Sequence, residues 1–212
     1  MNKVYGFDLD GTLVDSMSYF SKGILKVADD AGYQYDDTLI EILTPLGYTK
    51  SAEYYKTLGI PGTVEEIIKQ IETNLYTEYA NNIRTKPQVK EYLEHLKAGG
   101  AKLFVLTASP HMMTDVCLKN NGVYDLFDHV WSVEDFGMSK SSPDIFLHVA
   151  EVLGVTVEEI TYYDDNLTAV TNSTKAGLDT VAVYDGQKPE MWEEIKATGK
   201  HYIDTFADAF QF

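Results

Sequence analysis

The sequence predicts an α/β fold: a doubly wound parallel sheet with an all-helical unit inserted after its first strand. Three observations predict it. Short apolar runs with no amphipathic face, Val4-Tyr5-Gly6-Phe7, Leu103-Phe104-Val105-Leu106, Ile160 to Tyr163 and Thr180 to Tyr184, read as buried strands. Helical patterns closed by glycine separate the later strands, and strand-helix alternation means parallel pairing. Residues 15 to 84 carry helical period alone.

The elements follow in order. After Leu13, the residues Met17, Phe20, Ile24, Val27 and Ala28 recur at spacings of three and four, one apolar stripe that Gly32 stops. Asp37-Thr38 through Leu43, Tyr48 to Tyr55, and Val64-Ile67-Ile68-Ile71-Leu75 continue in helical period, broken at Pro45, Gly47, Gly59 and Pro61-Gly62. Val89, Tyr92, Leu93 and Leu96 then make a helix ending at Gly99-Gly100, ahead of the second strand. A helix ending at Asn121-Gly122 precedes a weak strand at Val130-Trp131, and a helix from Pro143 to Leu153 is closed by Gly154. Another, closed by Gly177, leads into the last clear strand, and the tail from Gln187 to Phe212 reads as structural cover. The expected division is therefore an α/β core of 1–14 and 85–212 around a helical domain of 15–84.

Size and composition bound the function. A chain of 212 residues is long enough to bury a sizeable core. Lys+Arg 17 against Asp+Glu 33 gives a formal charge of −16, which repels nucleic acid and anionic membrane surfaces. A phosphorylated ligand is repelled too, so any site for one must be made positive locally. Cys117, the only cysteine, reads as a small core hydrophobe and suits a reducing compartment. No stretch near Met1 reads as a signal peptide and no apolar run approaches the ~20 residues that span a bilayer, so a soluble, cytoplasmic monomer is expected.

In open parallel sheets, ligands bind at the carboxyl ends of the strands, so what each strand delivers there matters. The first delivers Asp8 and Asp10, two acids that repel each other and lose hydration; a cation such as Mg²⁺, which takes oxygen ligands, holds both ionised and implies a reaction on a phosphate. The second ends in Thr107-Ala108-Ser109-Pro110, where Ser109 reads as helix N-cap and Pro110 as the first helical residue, leaving amides and the Thr107 hydroxyl to face an anion. Lys140-Ser141-Ser142-Pro143 places a cation ahead of another helix start, and the strand from Ile160 ends in Asp164-Asp165-Asn166. Each alone has an ordinary explanation: an acidic turn, a capped helix, a solvated lysine. Acids, a hydroxyl with amides, a lysine and acids again, all on one edge, are not expected by chance.

Order and spacing resemble the four motifs of the haloacid dehalogenase-like (HAD) phosphohydrolases, whose core is Rossmann-like. Asp8, Asp10 and Thr12 match the first motif, Asp-x-Asp-Gly-Thr, and the likeness covers essentially the whole chain, with the helical insert as its cap. Asn121-Gly122-Val123-Tyr124-Asp125-Leu126-Phe127-Asp128-His129-Val130 and Lys140 with Pro143-Asp144-Ile145-Phe146 look like the phosphoglycolate phosphatase and β-phosphoglucomutase branch. The resemblance implies Asp8 as nucleophile, forming an aspartyl-phosphate, and Asp10 as general acid and base. It implies Mg²⁺ held by Asp8, the Asp10 carbonyl and Asp165, with Asp164 as a ligand or a support, and phosphoryl oxygens held by Thr107, Ala108 and Lys140. The implied partner is a small phosphorylated metabolite, phosphoglycolate- or sugar-phosphate-like.

The chain departs from the branch in places. Lys140-Ser141 stands for the usual Lys-Pro, Asp164-Asp165 for a frequent Gly-Asp, and Ala108-Ser109 for a frequent Asn-Lys pair, which leaves one fewer local cation. A phosphomutase is the alternative enzyme. Against it, Phe20 occupies the position, five beyond Asp15, where β-phosphoglucomutases carry a proton-transferring His; for it, Gly47-Tyr48-Thr49-Lys50 resembles the mutase cap loop, and assigns Thr49 and Lys50 to substrate choice. A dehalogenase fits less well, because its chemistry needs neither Asp10 nor a metal. A non-catalytic interaction protein using the 15 Tyr and 9 Phe is the alternative of another class.

Overall fold

The computed structural model describes residues 4–211, with Pro45 by its backbone alone; residues 1–3 and 212, counted above in the expected core, lie outside them. The chain forms two compact units, one of the segments up to Asp15 and from Arg84 onward, the other Ser16–Ile83.

The first unit is a sheet of six parallel strands, with helices in the connections. Its strands are β1 (Val4–Phe7), β2 (Lys102–Thr107), β3 (His129–Ser132), β4 (Ile160–Asp164), β5 (Asp179–Val183) and β6 (His201–Ile203), in spatial order β3-β2-β1-β4-β5-β6. The chain runs outward from β1 on one side and, from β4, outward on the other, so the order reverses between β1 and β4. β1 and β4 are buried along their whole length, which is why they read as continuous apolar runs. Gly6 in β1 has a local cause: a Cβ there would lie 2.1 Å from the Phe104 ring of the neighbouring strand.

Helices α5 (Val89–Ala98), α6 (His111–Asn120), α7 (Asp144–Leu153), α8 (Leu167–Ala176), α9 (Pro189–Thr198) and α10 (Phe206–Ala209) complete this unit. The core includes Val4, Phe104, Leu106, Ile145, Phe146, Val149, Ile160 and Tyr162, all buried. The tail is more than cover, because His201–Ile203 adds a sixth strand beside β5. It is short, three residues, and runs parallel to Val181–Val183.

The second unit contains α1 (Met17–Asp30), α2 (Thr38–Leu43), α3 (Gly47–Thr57) and α4 (Val64–Asn81), with a 3₁₀ turn over 44–46. α4 begins with a capping box in which Thr63 and Glu66 satisfy each other's backbone amides. The stripe of α1 (Gly23, Ile24, Val27, Ala28) and that of α4 (Ile67, Ile71, Leu75, Tyr79) are buried, worth about 1.5–3 kcal/mol for each large side chain. The buried Tyr55 hydroxyl donates to the Ile24 carbonyl at 2.8 Å and the buried Ser51 hydroxyl to the Leu43 carbonyl at 3.2 Å. Among the described residues, no helix is long and apolar enough to cross a membrane.

Candidate active site

Sheet register builds the site. Phe7 of β1 pairs with Val105 of β2 and Tyr163 of β4, and the Asp8 amide still donates to the Tyr163 carbonyl at 2.9 Å. Asp8 is therefore the first residue past the ladder, level with Asp164. The chain then turns tightly, with the Leu13 and Val14 amides donating to the Leu9 carbonyl. That turn needs Gly11, whose φ is +78°; a Cβ at this position would sit 2.6 Å from Asp165 Oδ2 and 2.8 Å from Asp185 Oδ2. Close approach lets the Thr12 hydroxyl donate to Asp165 Oδ1 at 3.0 Å.

The Asp8, Asp164 and Asp165 carboxylates each offer an oxygen within 4.8 Å of the others. Lys140 is the ammonium among them. Its Nζ donates to Asp8 Oδ1 at 2.5 Å and Asp164 Oδ2 at 2.8 Å, and its carbonyl accepts from Asn172 Nδ2 of α8 at 3.2 Å, which anchors it. Asp164 is fully enclosed. Its Oδ1 accepts from the Asn166 amide at 2.9 Å, and its Oδ2 accepts from Lys140 and, at 3.0 Å, from the Tyr162 hydroxyl. Asn166 in turn caps α8 through the Thr168 and Ala169 amides.

Burial sets the electrostatics. It pushes the Asp8 carboxyl well above the usual carboxylate range; the Lys140 charge opposes this, while Asp164, Asp165 and Asp10 add to it. Burial likewise lifts Asp165, to about 7, with Asp164 and Asp185 adding and Thr12 and Lys140 opposing. For Lys140, burial disfavours the ammonium, but the facing Asp164 and Asp8 charges outweigh it and raise its pKa well above that of an ordinary lysine. Three carboxylates facing one ammonium leave two negative charges uncompensated, in a donor set made only of oxygen. Such a pocket fits a hard divalent cation like Mg²⁺.

The other expected residues are placed as follows. Thr107 ends β2, buried, two residues beyond the Phe7–Val105 pair, and Ala108 follows, exposed. The helix after them starts one residue later than expected: Pro110, not Ser109, is the N-cap of α6, and α6 begins at His111. Ser109 does not cap because its hydroxyl is engaged elsewhere, donating to Asp10 Oδ2 at 2.6 Å. The Asp10 side chain thus meets Ser109, while the trio of clustered carboxylates is Asp8, Asp164 and Asp165. Thr49 and Lys50 are exposed on α3 in the helical unit.

Sequence reasoning missed three participants. Tyr162 was read as core, yet its hydroxyl reaches Asp164 and lies 3.5 Å from Lys140 Nζ. Asp185, just past β5, pairs with Lys86 at 2.8 Å, both largely buried. Gln187 joins that loop to the site, accepting from the Asp185 amide and donating to the Asp165 carbonyl at 3.0 Å. A signal was there: Tyr184-Asp185-Gly186 is a fifth strand end on the same edge.

The sequence profile described as haloacid dehalogenase-like hydrolase matches residues 6–183. Among curated proteins, the chain is similar to the phosphorylated carbohydrates phosphatase of Thermotoga maritima, 23% identical over 82% of this chain and 82% of that protein. It is also similar to the phosphoglycolate phosphatase of Aquifex aeolicus, 28% identical over 84% of this chain and 83% of that one. Among solved structures, CbbY from Rhodobacter sphaeroides in complex with xylulose-(1,5)bisphosphate shares the fold, with a TM-score of 0.79 and 20% identity over 98% of this chain and 96% of that one.

Proposed function

This chain belongs to the haloacid dehalogenase-like hydrolases and is a phosphatase, a phosphoric monoester hydrolase, of that family; on that premise we propose that it hydrolyses a small phosphomonoester through an aspartyl-phosphate on Asp8, with Mg²⁺ as cofactor. The observation that carries this reading is the convergence of Asp8, Asp164, Asp165 and Lys140 on one point at the strand edge.

Asp8 stands at the centre of that cluster, and its carboxylate oxygen attacks phosphorus as the bond from phosphorus to the alcohol oxygen breaks. Asp10 gives its proton to the departing oxygen. Asp10 then takes a proton from water, whose oxygen bonds phosphorus and releases Asp8 and inorganic phosphate. Lys140, Thr107 and the Ala108 amide hold the phosphoryl oxygens, which is most of what this reaction asks of a protein. Mg²⁺ is assigned to Asp8, Asp165 and the Asp10 carbonyl; when bound it supplies positive charge that keeps the carboxylates ionised and offsets the phosphoryl oxygens. Asp164, with both oxygens already accepting from protein donors, holds Lys140 in place.

The substrate class we assign is phosphoglycolate- or sugar-phosphate-like, as the relatives' names suggest, with Thr49 and Lys50 in substrate choice. Hydrolysis is favoured over phosphomutase action because Phe20, stacked on Tyr48 at 6.4 Å, has no proton to transfer. The test is phosphate release from p-nitrophenyl phosphate and a panel of phosphorylated metabolites. Asp8→Asn is expected to lower turnover by at least about 10³-fold with the circular dichroism spectrum unchanged. EDTA is expected to abolish turnover and Mg²⁺ to restore it. Activity retained in Asp8→Asn overturns the nucleophile assignment.

A further inference from the structure

Ser109 was expected to be spent on capping a helix, and it is not. Its hydroxyl donates to Asp10 Oδ2 at 2.6 Å, across 99 positions of sequence. The residue is held at both ends: its amide donates to the Thr107 hydroxyl at 3.0 Å and its carbonyl accepts from the Thr114 hydroxyl at 3.4 Å. Pro110 follows in an extended conformation, with φ −68° and ψ 152°, and His111 binds the Asp135 carboxylate at 2.8 Å, which fastens the start of α6. A donor fixed this firmly restricts rotation of the carboxyl group it meets.

That restriction has a chemical consequence. A protonated carboxyl has one oxygen that accepts and one that carries the proton. A hydroxyl donating to Oδ2 makes Oδ2 the acceptor, so in the protonated acid that keeps this bond Oδ1 is the oxygen that carries the proton. We propose that Ser109 is a positioning residue for the reaction, fixing the Asp10 carboxyl so that its proton-bearing oxygen meets the departing alkoxide. This rests on the assignment of Asp10 as general acid. In the step concerned, the Asp8–phosphorus bond forms, the bond from phosphorus to the leaving oxygen breaks, and that oxygen takes the Asp10 proton. An alkoxide needs that proton to leave, whereas p-nitrophenolate leaves without it.

The experiment compares kcat/KM, which reports this first step, for benzyl phosphate and p-nitrophenyl phosphate, two substrates of similar size. With saturating Mg²⁺, Ser109→Ala is expected to lower the value for benzyl phosphate by about 10–100-fold and that for p-nitrophenyl phosphate by less than about threefold. Ser109→Thr, which keeps a hydroxyl, is expected to restore most of the benzyl phosphate rate. Thermal unfolding of both variants checks that the fold is kept. Equal losses on the two substrates, or no loss on either, overturn the proposal. Asp10→Asn separates the two layers of argument. A large split with Asp10→Asn and none with Ser109→Ala removes the role of Ser109 alone; no split with Asp10→Asn removes the general acid, and the Ser109 proposal with it.

Discussion

Helical unit and α/β unit bury polar groups in opposite ways. Among the described residues of the helical unit, the buried polar ones are Ser16 and Ser51, and the larger Tyr55 gives its single hydroxyl to a backbone carbonyl. In the α/β unit, Asp8 and Asp164 are buried outright, Lys140 and Asp185 are largely enclosed with their partners, and Asp165 is partly buried. Desolvating such charges costs several kcal/mol per ion, which attraction between them repays only in good geometry. The helical interior thus follows from burial of apolar surface, while the strand edge is a local departure from maximal stability, kept at the place where chemistry is proposed. Ion pairs differ in the same way: Lys26–Asp30 at 2.6 Å is exposed on a helix, whereas Lys140–Asp164 at 2.8 Å is enclosed.

The contrast predicts its largest effect at Lys140. Lys140→Ala strands Asp8 and Asp164 without their ammonium, and should lower unfolding free energy by about 3–5 kcal/mol as well as abolish turnover. Lys26→Ala should leave the urea midpoint unchanged. Similar shifts in the two variants would erase the distinction between the units.

Next in size is a pH effect confined to the α/β unit. Asp8 and Asp165 have folded pKa values raised above the ordinary carboxyl range, so the folded protein holds more protons than the unfolded chain. Stability is then full below the unfolded pKa of about 4 and is lost as pH rises towards about 7. Metal-free protein should therefore melt lower at pH 8 than at pH 5. Under the proposed assignment, Mg²⁺ at a hundredfold excess over its Kd should add about 2.7 kcal/mol, or roughly 5–10 °C, at pH 8 and less at pH 5. Calorimetry with and without Mg²⁺ at the two pH values checks the sign; an equal Mg²⁺ shift at both would refute the linkage.

The smallest effect belongs to the helical unit. Lys50→Ala, at an exposed position, should leave stability and the p-nitrophenyl phosphate rate unchanged but alter KM ratios among phosphorylated metabolites by about 2–10-fold. Identical changes for every substrate would count against a role in substrate choice.

Much of the candidate site was legible because its residues lie at strand ends or just ahead of a helix. Asp8 and Asp164-Asp165 could be named from an apolar run that stops at a charge, and Lys140 from a cation ahead of a Ser-Pro helix start, patterns a few residues long. Thr107 and Ala108 followed from the next strand. Ser109 was assigned to the wrong partner, because a Ser-Pro pair before a helical stretch reads as a cap and the competing acceptor, Asp10, is 99 positions away. Tyr162 was legible only as apolar bulk, and Asp185 was passed over although it follows the last clear strand. Their meaning depends on Asp164 and Lys86, which other parts of the chain supply.

Side-chain period and turn residues are local properties, and so the sequence by itself determined the fold class, the first five strands with the helices between them, and which residue types stand at the strand ends. Strand order, the sixth strand and the pairing of each donor with one oxygen were decided by the tertiary structure alone. Thr12 meets Asp165 across 153 positions and Lys140 meets Asp8 across 132. Contacts at that separation depend on register and packing fixed by the whole sheet at once, and no window of sequence contains them.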